Sequence, residues 1–455
     1  MKIARLLYYN TTAKHLYFII NKLHIVYKCG IIIIIMNLNA LLKEKRCDCG
    51  CVHNANIEKI YLEKNAIFKL KGLTDKNSEI LMVLDDNTYH FAGDICKKAL
   101  KGRRVKFKIF ETKSPLIPNE TAINAIESEL NGCNLIIGVG AGVIQDLCKY
   151  VSFVNKLPYI IVPTAPSMDG YASSTAILTL NGVKTSVQAH TPKAIVADVN
   201  LLKNAPLRMI QSGYGDVLGK ISALSDWKLA HEVIGEDFCP YIYNLTEKSL
   251  KKVLKLTKNL KKRNPKAIKA LMEALLVTGI SMSYLGSSRS ASGSEHLLSH
   301  YFEDLGMICG EKYLPHGIDV AYSTYITSLI RTKLIKAKLP TCIYKPDRDS
   351  FVTAMTKAFQ KSASDLISKQ DEFDETISNR NYQNLNAKAV KKILKQASNS
   401  NKIKKYLSNI GLNVQEFYQT YSSEKIQNAV IYGKNVRTRF TVLHLYLDTF
   451  NETPL

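Results

Sequence analysis

Three histidines and one aspartate carry the clearest chemical signal in this chain. His296 and His300 lie in Ser292-Gly-Ser-Glu-His-Leu-Leu-Ser-His300. Four positions apart, they share one face of a helix about one turn from each other. His316 follows Pro315 and precedes Gly317, a turn leading into the apolar-periodic run 318–330. Imidazole binds zinc, nickel and iron, and a divalent site needs a third or fourth group. Asp216, in Ser212-Gly-Tyr-Gly-Asp216-Val-Leu-Gly-Lys220, is the best upstream candidate. Any one of these histidines alone reads as an ordinary surface or core residue. The four side chains together point to a metal centre.

The elements that must hold them fall into two parts. From 56 to 200, short β-branched runs alternate with helical patterns. Strands are predicted at 80–84, 105–110, 135–139, 158–162 and 194–198, and helices at 88–100, 122–130 and 144–153. That spacing indicates a parallel sheet covered on both faces. Asn181-Gly182 between 176–180 and 183–188 predicts an inserted hairpin. After Pro206 the pattern turns helical, as at 270–285, 321–334, 350–367 and 387–407. The expected organisation is an N-terminal extension (1–35), a Rossmann-like α/β domain with an inserted hairpin (36–205), and an all-α helical-bundle domain (206–455) that carries the histidines.

Gly138-Val-Gly140-Ala141-Gly142-Val143-Ile144 follows a strand and opens a helix. Glycines there allow close approach of a pyrophosphate, and the helix N-terminus offers free N–H groups and a positive dipole end. Tight strand–helix turns also use glycine without a ligand, and no acidic residue follows at the usual spacing. Asp85 instead ends the earlier strand, where it either accepts from a ribose diol or caps the next helix. Thr164-Ala165-Pro166-Ser167-Met-Asp169-Gly-Tyr-Ala-Ser173 ends the next strand and presents hydroxyls at the same sheet edge.

In combination, these motifs resemble the sn-glycerol-1-phosphate dehydrogenase family, in the superfamily of iron-type alcohol dehydrogenases, glycerol dehydrogenase and dehydroquinate synthase. The resemblance spans about 36–330. Its specific parts are the Thr-Ala-Pro-Ser-Met-Asp-Gly-Tyr loop and Ser-Gly-Ser-Glu-His. It implies a dehydroquinate synthase-like fold and one divalent metal, zinc or nickel, on Asp216, His296 and His316. His300, Asp169 and Asp216 would face substrate. Asp85, Gly140, Ala141, Gly142, Val143, Ile144, Thr164, Ala165, Pro166, Ser167 and Ser173 would bind NAD or NADP. The implied reaction is reversible hydride transfer between dihydroxyacetone phosphate and sn-glycerol 1-phosphate, feeding phospholipid synthesis in the cytoplasm, by a homo-oligomer. His300, Arg289 and Lys220 are candidates near the substrate phosphate. A glycerol dehydrogenase on free polyol and a dehydroquinate synthase-like lyase are the enzyme alternatives. Against the lyase, its usual Gln-Val-Asp-Ser-Ser-Val-Gly-Gly-Lys motif is absent and its acidic ligand is Glu rather than Asp.

The net charge of +23 raises nucleic acid, an anionic membrane or an anionic metabolite as partners. Lysine dominates it, spread over 245–269 and 388–405 without interleaved aromatics, which describes a solvated face rather than a nucleic-acid surface. Ten cysteines in 455 residues make no disulfide scaffold, and seven are scattered, as in a reducing compartment. The rest form Cys47-Asp-Cys49-Gly-Cys51-Val-His53, a soft-metal pattern or a loop before the first domain, lacking a second cysteine pair at zinc-finger spacing. Residues 16–36 are apolar but interrupted by Lys22, His24 and Lys28, too short for a bilayer span. The first 35 residues are expected to be either an upstream misread of a start at Met36 or a peripheral membrane anchor.

Overall fold

The computed structural model describes residues 25–28, 31–34, 37–113, 115–378, 382, 385–452 and 455. Six strands pair in parallel in the order Lys59–Glu63, Ala194–Asp198, Tyr159–Pro163, Leu135–Gly140, Glu79–Asp85, Arg104–Phe110. The middle strands are continuous apolar runs because helices cover both faces: every residue of Leu135–Gly140, Tyr159–Pro163 and Ala194–Asp198 is buried. The chain leaves Glu79–Asp85 toward one edge and Leu135–Gly140 toward the other. The sheet's topological switch point therefore lies between Asp85 and Gly140, where such sheets open a crevice at their carboxyl ends. The hairpin Thr175–Leu180/Val183–Gln188 pairs apart from this sheet.

The remainder is helical, built on Leu207–Ile234, Pro240–Lys261, Pro265–Leu285, Ser294–Cys309 and His316–Lys336. Leu207–Ile234 and His316–Lys336 touch backbone to backbone. A Cβ on Gly215 would lie 1.9 Å from the Gly317 carbonyl, and one on Gly317 would lie 2.0 Å from that of Ser212. Only glycines allow this approach, and it sets Asp216 beside His316. Pro265–Leu285 is long and apolar enough to cross a membrane, but 78% of its most apolar window is buried inside the protein.

Several elements differ from expectation. The edge strand Lys59–Glu63 was not anticipated, because five residues ending in charges at both sides carry little apolar signal. The run 350–367 is two helices, Arg348–Phe359 and Ala363–Thr376, broken where Gln360 takes a φ of +46°. The run 387–407 divides into Ala387–Lys395 and Ser400–Ile410, the second capped by Asn399 through Lys402 N. In both cases the apolar face carries on through the break, so periodicity alone joins them. The expectations for residues 1–35 fall largely outside the described residues. Within that segment Ile25–Lys28 and Ile31–Ile34 pair as an antiparallel hairpin.

Candidate active site

Asp216 sits inside Leu207–Ile234, His296 in the first turn of Ser294–Cys309, and His316 at the first position of His316–Lys336. One ligand atom from each lies within 4.8 Å of the others. His296 Nε2 is 3.4 Å from Asp216 Oδ1. Both imidazoles are oriented from behind: His296 Nδ1 meets Glu295 at 2.7 Å and His316 Nδ1 meets Glu303 at 2.5 Å. A carboxylate on Nδ1 leaves Nε2 as the free donor, the arrangement typical of metal-binding histidine. Two neutral imidazoles and a carboxylate suit a divalent ion and leave coordination positions open for substrate.

Asp216 is held by two groups. Its Oδ2 accepts from Asp169 N at 3.0 Å, and its Oδ1 accepts from Lys220 Nζ at 3.0 Å. Burial opposes its charge, but Lys220 and His296 overcome this and hold the carboxyl far below the usual range. His300 lies one turn along from His296, its ring stacked on His316 at 5.3 Å. Burial pushes its pKa well below 6.5. Its Nδ1 stands 3.9 Å from Glu303, beyond hydrogen-bond reach, and has no partner.

These side chains floor a cleft of about 960 Å³ between sheet and helices. Gly142 and Val143, at the start of Gly142–Val154, form part of its wall. No side chain caps that helix, so its first N–H groups are available to an anion. A Cβ on Gly142 would meet nothing closer than Met168 at 3.8 Å, which leaves room above the helix end. The geometry fits a dinucleotide pyrophosphate.

The iron-containing alcohol dehydrogenase family profile matches residues 61–206. A glycerol-1-phosphate dehydrogenase (NAD(P)+) of Halalkalibacterium halodurans is 33% identical over 67% of this chain and 79% of its own length. One from Thermococcus sibiricus is 34% identical over 59% of this chain and 78% of its own. The chain belongs to the glycerol-1-phosphate dehydrogenase family. The family's fold is also that of a solved iron-containing alcohol dehydrogenase from Thermococcus thioreducens. That structure aligns with a TM-score of 0.56 at 14% identity, covering 86% of this chain and 97% of that one.

Of the family residues carried over from sequence, Gly142, Val143, Ser167, Asp169, Ser173, Asp216, His296, His300 and His316 line the cleft. Gly140, Ala141, Ile144, Thr164, Ala165 and Pro166 stand behind this lining and shape it. Thr164 N donates to Gly140 O at 3.2 Å, and Ala165 O accepts from Tyr171 Oη at 2.7 Å. Asp85 sits at the switch point and caps its helix, accepting from Thr88 N at 2.7 Å.

Of the three candidates for the phosphate, His300 lines the cleft, whereas Lys220 and Arg289 do not. Lys220 is buried and spends its three donors on Asp169 at 2.7 Å, Asp216 at 3.0 Å and Ala291 O at 2.7 Å. Arg289 bonds Glu236 and the carbonyls of Asp226 and Phe440. Both are buried structural cations. The cleft instead presents Lys184, Arg437 and Arg439. Arg439 donates to Ser292 O at 2.6 Å and Ser288 Oγ at 2.9 Å. Burial, then Arg289 and Arg437, push its pKa down to about 10. Arg437 and Arg439 pair with no carboxylate among the described residues. Sequence reasoning missed them because they lie more than 120 residues beyond His316, with no motif around them. It also missed Glu295 and Glu303, although Glu295 sits in the quoted motif and Glu303 follows His300 by three.

Proposed function

We propose that this chain reduces dihydroxyacetone phosphate to sn-glycerol 1-phosphate with NADH or NADPH, using one zinc or nickel ion. The observation that carries the reading is the Asp216–His296–His316 donor set at the floor of a cleft that also offers two arginines without carboxylate partners. A free polyol gives such cations no counter-charge, whereas a phosphate dianion does. The relatives named above carry the same activity in their names.

When bound, the metal supplies Lewis acidity at the substrate oxygen and the nicotinamide supplies the hydride. The chain's part is placement and charge. Asp169 and Lys220 fix the Asp216 carboxylate; Glu295 and Glu303 fix the two imidazoles. His300, which burial holds neutral, would offer a ring N–H to the substrate oxygen. Arg437 and Arg439 hold the phosphate and so orient the ketone carbon toward the cofactor side of the cleft. Assembly as a homo-oligomer and a cytoplasmic location belong to the same proposal.

The test is NADH oxidation by metal-loaded protein, offered dihydroxyacetone phosphate and, separately, dihydroxyacetone. Turnover with the phosphate alone, yielding the sn-1 isomer and lost on chelation, is expected. Preference for the free ketone would move the chain to the polyol dehydrogenases. No turnover with metal bound would revive the lyase.

A further inference from the structure

The sequence cluster at 47–53 lacked a partner, and the fold supplies one. Cys239, 192 positions from Cys47, brings its thiol to 3.7 Å from Cys47 Sγ and 3.6 Å from His53 Nε2. Cys49 Sγ lies 3.5 Å from the same nitrogen. The four donor atoms all fall within 4.8 Å of one another. We propose that Cys47, Cys49, His53 and Cys239 form a second, structural zinc site that ties the segment before the sheet to the head of a helix in the helical domain.

The spacings carry the argument. Zinc bonds of about 2.3 Å to sulfur and about 2.0 Å to nitrogen make a tetrahedron with edges of about 3.8 Å between sulfurs and about 3.5 Å between sulfur and nitrogen. The three observed distances match those edges. Three thiols and an imidazole form a closed, sulfur-rich donor set, which selects zinc over harder divalent ions and leaves no position for substrate. A disulfide would join two of the three thiols and give no reason for His53 to face both Cys49 and Cys239.

The local structure builds these donors deliberately. Lys45–Arg46 pairs with Val52–His53, and Gly50 turns the chain between them with a φ of +86°. Gly50 N bonds Cys47 O and Cys47 N bonds Cys51 O, each at 3.0 Å. His53 is buried, and its ring stacks on Tyr284 at 5.2 Å and Tyr241 at 6.2 Å, which fixes its plane without a hydrogen bond at Nδ1. Cys239 immediately precedes the helix Pro240–Lys261, which fixes its position against the cluster. Cys51 is exposed and stands outside the donor group.

Cobalt distinguishes this site from the active centre, because only thiolate ligands give an intense sulfur-to-cobalt charge-transfer band. Full-length protein is purified under reducing conditions, stripped of metal and reloaded with cobalt. The expected result is two cobalt ions per chain with the charge-transfer band present. C239S should lose the band and one ion, and C51S should lose neither. Should C239S fold poorly, alkylation of native zinc-loaded wild type, mapped by peptide mass, gives the same answer: Cys47, Cys49 and Cys239 protected, Cys51 modified. A cobalt-saturated wild type without the band, a band that survives in well-folded C239S, or a Cys47–Cys239 disulfide in reductant-purified protein would each overturn the assignment.

Discussion

Glu303 and His316 are joined by a 2.5 Å hydrogen bond from the imidazole Nδ1 to the carboxylate. Glu303 is buried and also accepts from Ser299 Oγ at 3.0 Å and from Lys184. Burial would raise its pKa, but His316 and Lys184 hold it well below the usual range. The carboxylate thus fixes both the tautomer and the direction of a ligand contributed by another helix. E303Q keeps the shape and removes the charge. Metal affinity should fall by about 10–100-fold, as read by chelator competition, while the circular dichroism spectrum stays unchanged.

Arg437 and Arg439 make a separable prediction. Loss of a hydrogen bond from a charged donor costs about 1.5–3 kcal/mol. R439A should therefore raise KM for the phosphorylated ketone by about one to two orders of magnitude, with KM for NADH little changed. Steady-state kinetics in both substrates checks it; an equal rise for both would place Arg439 in general packing.

Asp146 faces the cleft from Gly142–Val154, and burial pushes its pKa up to about 6, against the pull of Lys149. The unfolded chain releases this proton near pH 4 and the folded chain near pH 6, so stability from this group is lost as pH rises across that window. D146N does not titrate. Its stability relative to wild type should climb by on the order of 2 kcal/mol from pH 4 to pH 7 and then level off. Urea denaturation at several pH values measures the difference, and a flat difference refutes it.

Gly213 carries the contact between the Thr164–Ser167 loop and the long helix. A Cβ there would lie 1.8 Å from Pro166 O, a backbone atom with nowhere to go. G213A should destabilise by about 3 kcal/mol or more and weaken cofactor binding, because the loop must lift. Denaturant midpoints and NADH fluorescence report the two effects separately.

The parts whose signal is local were legible before any fold was known. Strands buried on both faces read as apolar runs, Asn181-Gly182 marked the hairpin, and the pair at 296 and 300 had to share a helix face. Asp216, His296 and His316 were legible because each sits in a dense motif of glycine, serine and proline. What meets across distance came from packing alone. It brought Cys239 to a cluster 192 positions away, placed Arg437 and Arg439 in the cleft, and turned Lys220 and Arg289 inward onto buried partners. A lysine or arginine on a helix looks the same in sequence whether it faces solvent or a buried carboxylate. Its partner is chosen by what the fold brings alongside: Lys220 meets Asp169 and the Ala291 carbonyl, and Arg289 meets Glu236, each more than fifty positions away.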